Sequence, residues 1–190
     1  MSAVFIEDEE LRGIDYSFNA LKKGDYENCL FFNCNFANSN LSSINFSECS
    51  FENCDFSLAK IFNTSFQDSK FKNCKLLGLH FEDCNAFLFT VNFENSQLNL
   101  SSFYKRNLKN TIFRNCSLHE VDFIESNLAS SVFDNCDLSG AIFENTNLEK
   151  SDFRTAYNFS INPEINQLRQ AKFSREGLDG LLHKYNIEIE

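Results

Sequence analysis

The chain has 190 residues, a formal net charge of −10 and a hydrophobic fraction of 43 %, enough for one domain with a continuous core. It holds 23 Phe and no Trp, with only one Pro and six Gly, so something other than the usual turn formers must turn it. The negative charge argues against nucleic acid as a direct partner and favours a basic one, and no stretch approaches the roughly 18 apolar residues of a membrane span.

In chain order, Met1 to Glu10 lacks a basic stretch followed by an apolar run, so a cytoplasmic location and no membrane association are expected. Residues 1–14, with Val4, Phe5 and Ile6, are expected to form an N-terminal cap that covers the open edge of the adjoining repeat region.

Residues 15–158 carry a repeat of five. Leu11, Tyr16, Leu21 and Tyr26 lead into Phe31, Phe36, Leu41, Phe46, Phe51, Phe56, Ile61, Phe66, Phe71, Leu76 and Phe81. A second series alternates Leu and Phe from Leu88 and Phe93 to Leu148 and Phe153. Two residues before each large position stands a small one, as at Cys54, Ala59, Thr64, Ser69 and Cys74, or at Ala86, Val91 and Ser96. The other three positions are mostly Asn, Ser, Asp, Glu and Lys, so two positions point in and three point out.

A period of five fits neither 3.6 nor 2, which excludes an amphipathic helix and a flat alternating strand. It fits a chain that turns a corner every five residues and pairs each side with the coils above and below. Four corners close a square coil of twenty residues. Phe-x-Asn-Cys recurs at Phe31, Phe51, Phe71, Phe113 and Phe133, with Phe93 between, in steps of twenty apart from one step of twenty-two between Phe71 and Phe93. That step places a two-residue insertion near 85–89, where Phe87 and Phe89 are candidates for a bulge folded over its neighbour or for a partner contact.

The eight cysteines all occupy the small inward position, and Cys34, Cys54, Cys74, Ser96, Cys116 and Cys136 form one column. Buried thiols are therefore expected, without metal or redox work. His80 and His119 lie at outward positions and His183 near the end, none beside a nucleophile, so no catalytic residue and no cofactor is expected.

Residues 159–190 read as linker, helix and tail. Asn162-Pro163-Glu164 marks the exit from the repeat, since Pro cannot donate to a ladder. Ser174 to Lys184 reads as a short helix capped by Ser174, with Leu178, Leu181, Leu182 and Tyr185 on one stripe, and the tail through Ile187 could pair as a strand. The stripe either caps its own rod or packs on a second copy.

Ala141-Ile142-Phe143-Glu144-Asn145 and Ser151-Asp152-Phe153-Arg154-Thr155 show a pattern that resembles the pentapeptide repeat family over about Leu11 to Asn158. The resemblance implies a right-handed quadrilateral parallel β-helix of roughly seven coils, on the order of 35 Å long at about 4.8 Å per coil. The end of the chain is similar to the members that protect DNA gyrase, the Qnr and MfpA quinolone-resistance proteins and the microcin immunity protein. Those imply a C-terminal homodimer and an acidic, DNA-mimicking rod that binds a type II topoisomerase, DNA gyrase or topoisomerase IV. A structural or scaffolding repeat module with an unrelated partner is the alternative. The candidate acidic surface is Glu120, Asp122, Glu125, Asp134, Asp137, Glu144, Glu149 and Asp152 against Lys150 alone, while Lys60 to Arg114 carries an excess of bases. Asp122, Glu125 and Glu144 fall on one side of the coil and Asp134 and Asp152 on another.

Overall fold

The computed structural model describes residues 4–188. It is a right-handed quadrilateral parallel β-helix. Side one is a seven-stranded parallel sheet of β2 (Glu10–Arg12), β4 (Leu30–Phe32), β6 (Ser50–Glu52), β8 (Ser69–Lys72), β9 (Val91–Glu94), β10 (Ile112–Arg114) and β11 (Val132–Asp134), ordered along the axis. Side four begins as a four-stranded sheet of β1 (Val4–Glu7), β3 (Gly24–Glu27), β5 (Asn45–Ser47) and β7 (Ser65–Gln67). Sides two and three are narrower and pair through single parallel bridges such as Asn35 to Asp55 and Ser102 to Asp122.

Asparagine does the turning. The residue two past each core position takes a positive φ, for example Asn33 (54°), Asn53 (55°), Asn73 (53°), Asn115 (51°) and Asn135 (53°). This left-handed region costs most L residues roughly 1–2 kcal/mol, and Asn tolerates it best after Gly. On the narrow sides the core carbonyl also accepts the amide three residues on, as in Ser39 N–H to Phe36 (3.0 Å), which together with a positive φ at the third residue marks a type II turn. Asn side chains then bond up the rod, Asn115 to Asn95 at 3.0 Å and Asn135 to Asn115 at 2.9 Å.

The interior is four apolar stacks. On side one Phe31, Phe51, Phe71, Phe93, Phe113, Phe133 and Phe153 lie nearly parallel, with centroids 4.5–5.4 Å apart. Phe81, Phe103, Phe123 and Phe143 do the same on side three, and Leu98, Leu118 and Leu138 are fully buried on side two. Adjacent sides meet edge to face, as Phe113 does with Phe123 at 82°.

The structure departs from the expected boundaries in three places. Val4–Glu7 and Glu10–Arg12 pair in register with Gly24–Glu27 and Leu30–Phe32, so residues 4–12 of the expected N-terminal cap are themselves two sides of the first coil. The coil also runs past Pro163: Asn147 bridges Gln167, Asp152 bridges Lys172, and Phe173 stacks on Phe153 at 5.3 Å. Pro163 is tolerated because it sits in the turn before those bridges, not in the ladder. The expected helix is two 3₁₀ turns, Leu178–Leu181 and His183–Tyr185, with Ser174 Oγ accepting the Gly177 amide at 3.1 Å. Gly177 and Gly180 within three residues of each other disfavour a regular helix. No strand forms over Tyr185 to Glu188, and Ile189 and Glu190 lie outside the described residues.

Candidate interaction surfaces

The cysteines are part of the packing. All eight are free and buried. Their Sγ atoms donate to carbonyls of the preceding coil, Cys54 to Phe31 and Cys74 to Phe51 at 3.3 Å each, and Cys136 to Phe113 at 3.3 Å. Burial pushes the Cys49 thiol up to about 12 and the Cys84 thiol upward as well, so these sulfurs stay protonated. Among the described residues no group of His, Cys, Asp and Glu is arranged to hold a metal ion. His80 and His119 lie outward as expected, paired with Glu82 and Asp137 at 2.9 Å each, while His183 is in the second 3₁₀ turn.

The insertion splits its two aromatics. Phe89 is buried and meets Phe81 edge-on at 6.1 Å, whereas Phe87 is 67 % exposed. Ala86 and Leu88, placed by the periodicity at inward positions, face solvent instead. The two extra residues let Phe89 take the core station that Ala86 is too small to fill. Arg106, standing where the repeat wants a small inward residue, occupies the remaining space: its guanidinium donates to the carbonyls of Glu82 and Cys84 (2.6 Å for the latter) and lies over Phe89. It therefore adds nothing to the surface charge of the basic middle coils. An inward cation next to a break in the repeat was the available signal, and charge counting hid it.

The eight C-terminal acids divide. Asp134 lies 3.2 Å from Arg114, Asp152 is held by Arg154 at 2.7 Å with Lys172 at 3.9 Å, and Glu125 pairs with Lys105 at 3.4 Å. Burial works against ionisation of Asp137, yet hydrogen bonds from Ser139, Asn158 and His119 hold its carboxyl down to about 2. Counting charges within Glu120 to Asp152 misses these partners because most of them come from coils on either side. Side one is a ladder of alternating sign, Glu52, Lys72, Glu94, Arg114 and Asp134 being consecutive rungs in register. Glu149 lies apart from the others, on side four.

The acids that stay together are on side three and its leading corner. The Glu125 amide donates to the Glu144 carbonyl at 2.9 Å, which sets these two residues side by side on adjacent coils. Asp122 is in the same side, and Glu120 covers Gly140, its Cγ 3.1 Å from where a Cβ would stand. Among the described residues Lys105 is the one cation paired with this group. The first coils carry a second acidic region that the repeat pattern did not single out. There Glu7, Asp8, Glu9, Glu10, Asp15, Asp25 and Glu27 face only Arg12, Lys22 and Lys23, and of these bases Arg12 pairs with Glu10. A charge count over the first thirty residues is signal enough to find it.

At the C-terminal end the apolar stripe is divided. Leu181 packs against the core and Leu182 is half-buried, while Leu178, Tyr185 and Ile187 are exposed. Gly180 is buried so closely that a Cβ there would lie 2.5 Å from the Phe159 carbonyl oxygen, and the segment thereby closes over the last coil. Tyr185 donates to Glu164 at 3.0 Å and Lys184 pairs with the same carboxylate.

Square coils of twenty residues, small inward residues and Phe or Leu stacks define a class, the pentapeptide solenoids, and the family model of the pentapeptide repeat region matches residues 25–103 and 86–181. The chain belongs to the pentapeptide repeat family. Among solved structures it is similar to a trypsin-treated variant of QnrB1, a plasmid-mediated fluoroquinolone resistance protein, with a TM-score of 0.63 at 17 % identity over 100 % of both chains. HetL, a pentapeptide repeat protein involved in heterocyst differentiation regulation from the cyanobacterium Nostoc sp. strain PCC 7120, matches at TM-score 0.46 and 14 % identity, over 90 % of this chain and 84 % of its own. At such identities the likeness is one of fold. No curated protein sequence matches the chain.

Proposed function

We propose that the protein is a non-enzymatic binding rod whose acidic side engages the basic DNA-binding surface of a type II topoisomerase, DNA gyrase or topoisomerase IV, in place of duplex DNA, and shields it from quinolones or toxins. The observation that carries this reading is the side-three cluster. Glu125 and Glu144 are neighbours on adjacent coils, with Asp122 and Glu120 beside them and Lys105 as their paired cation. Like charges in adjacent rungs destabilise the isolated rod, and a basic partner relieves that repulsion. The likeness of fold to QnrB1 and the net charge of −10 support the choice of partner. In this reading two copies join through Leu178, Tyr185 and Ile187, which brings the acidic C-terminal coils to the centre of the particle.

The scaffolding alternative draws on the ion-paired state of Asp134, Asp152 and Asp137, which leaves a smaller acidic area than the composition suggests. A supercoiling assay with purified gyrase separates the two. The protein is expected to inhibit supercoiling and to bind gyrase more weakly as salt rises. Asp122→Lys, Glu125→Lys and Glu144→Lys together should abolish the effect while the melting temperature stays near wild type, because these side chains are exposed or half-buried. No inhibition, no quinolone protection and no binding to either gyrase subunit would leave the scaffolding reading.

A further inference from the structure

The corner between sides two and three carries a column that runs Leu58, Gly78, Leu100, Glu120, Gly140 in successive coils. All five have positive φ, between 54° and 69°. Most such corners in this chain are Asn, Ser, Gly or a charged residue. Leu58 (57°) and Leu100 (60°) are large apolar residues held in a conformation that disfavours them, and both are more than half exposed. Neither contributes to the core, so packing does not account for them, and backbone strain kept at an exposed position points to a use.

The surroundings give that use a shape. Leu58 leans over Gly78, its Cδ2 3.0 Å from where a Cβ would stand, so glycine there makes the room. Leu77, whose carbonyl accepts the Leu58 amide at 2.9 Å, and Phe62, 66 % exposed, extend the apolar area on either side of the corner. Between Leu58, Phe62 and Gly78 lies a depression of about 360 Å³ rimmed by Lys60, His80 and Asp83. One coil beyond Leu100, a step of about 4.8 Å, the same column reaches Glu120, and Asp122, Glu125 and Glu144 lie on the adjoining side. Apolar and acidic areas thus form one continuous strip.

We infer that this strip is a two-part docking surface: Leu58, Leu77, Leu100 and Phe62 receive apolar side chains of a basic protein segment, and its Lys or Arg residues reach Glu120, Asp122, Glu125 and Glu144. The inference deepens the reading of side three as a binding surface and rests on it. The occupant is a basic, amphipathic protein segment, argued from charge complementarity and from the abutment of the two areas. A second copy is disfavoured because it would set the same acids against each other. A pure charge mimic of DNA has no need of the leucines. The strip adds an anchor whose contribution survives salt, as apolar burial does and screened charge does not.

The test uses substitutions that leave the fold intact. Leu58→Asn with Leu100→Asn installs the residue most corners already carry, so the melting temperature should hold or rise. Two synthetic basic peptides are the probes, one of Leu and Lys with an amphipathic pattern and one with Ser in place of each Leu. The full chain is expected to bind the Leu peptide about tenfold tighter or more at roughly 0.15 M salt. NMR shift changes should fall on Leu58, Leu77, Leu100 and Phe62, and the Leu advantage should vanish in the double variant. Equal binding of both peptides, undiminished binding by the double variant, or shifts mapping to other sides would overturn the inference. In parallel, the double variant should lose its salt-resistant binding to gyrase. If gyrase binds neither form, the topoisomerase reading fails while the peptide measurements still decide the strip.

Discussion

Phe113 is the residue whose loss most directly tests the stacked core. Its ring is fully buried, parallel to Phe93 at 5.3 Å and Phe133 at 4.9 Å and edge-on to Phe103 and Phe123 at 6.2 and 6.0 Å. Truncating a buried Phe to Ala costs about 3–5 kcal/mol, depending on how far the site can collapse. The cost here belongs at the upper end, about 5 kcal/mol, because the coils above and below are tied to this one by backbone bonds and cannot close the gap. Phe173, at the end of the same stack, meets only Phe153 and Phe159 among the aromatic rings and is half-buried. Its truncation should cost about half as much or less, since a terminal coil has one neighbour where an internal coil has two. For a chain of this size each kcal/mol moves the melting temperature by about 2–4 °C, so Phe113→Ala should lower it by roughly 10–20 °C. Calorimetry of both variants checks this. A Phe113→Ala loss no larger than that of Phe173→Ala would refute the nearest-neighbour stacking account.

Arg106→Met should destabilise by about 3 kcal/mol in urea titrations, because two carbonyls lose a charged donor, and should open the 85–89 insertion to chymotrypsin at Phe87. For Asp137, the folded carboxyl sits at about 2 against an ordinary value of 3.8, so it contributes stability above pH 4 that is lost as pH falls from about 4 to 2. Asp137→Asn should therefore be less stable than wild type at about pH 6, and the gap should narrow by about pH 2 in melting curves. The thiols should resist a soluble disulfide reagent in the native chain and all eight should react in denaturant; rapid native labelling of the Cys34, Cys54 and Cys74 column would contradict its burial.

The repeat was legible because a square coil imposes its period on every residue, so Phe31, Cys34 and their successors mark the inside without reference to any distant contact. The scarcity of Gly and Pro likewise pointed to another turn former, and Asn33, Asn53 and Asn73 at positive φ are its realisation. Where the period breaks, the pattern stopped informing. Whether Leu88 or Phe89 filled the core depended on the space that Arg106 and Phe81 leave, one of them in the next coil. The end of the coil was misplaced for a related reason, since Pro163 stops a ladder only if it lies in one.

The composition of the surface is a property of the sequence alone, but its electrostatics are decided by stacking. Residues twenty apart become rungs about 4.8 Å apart, so Arg114 neutralises Asp134 and Lys105 faces Glu125, while Glu125 and Glu144 are left adjacent. A list of charges along the chain contains all of these residues and none of these pairings. The sequence by itself determined the coil, its period and its apolar interior, because those arise from local alternation of inward and outward positions. Which acids remain free, which aromatic is buried and where an apolar corner meets an acidic side were settled only when each coil was laid on the next, since those properties belong to contacts between coils.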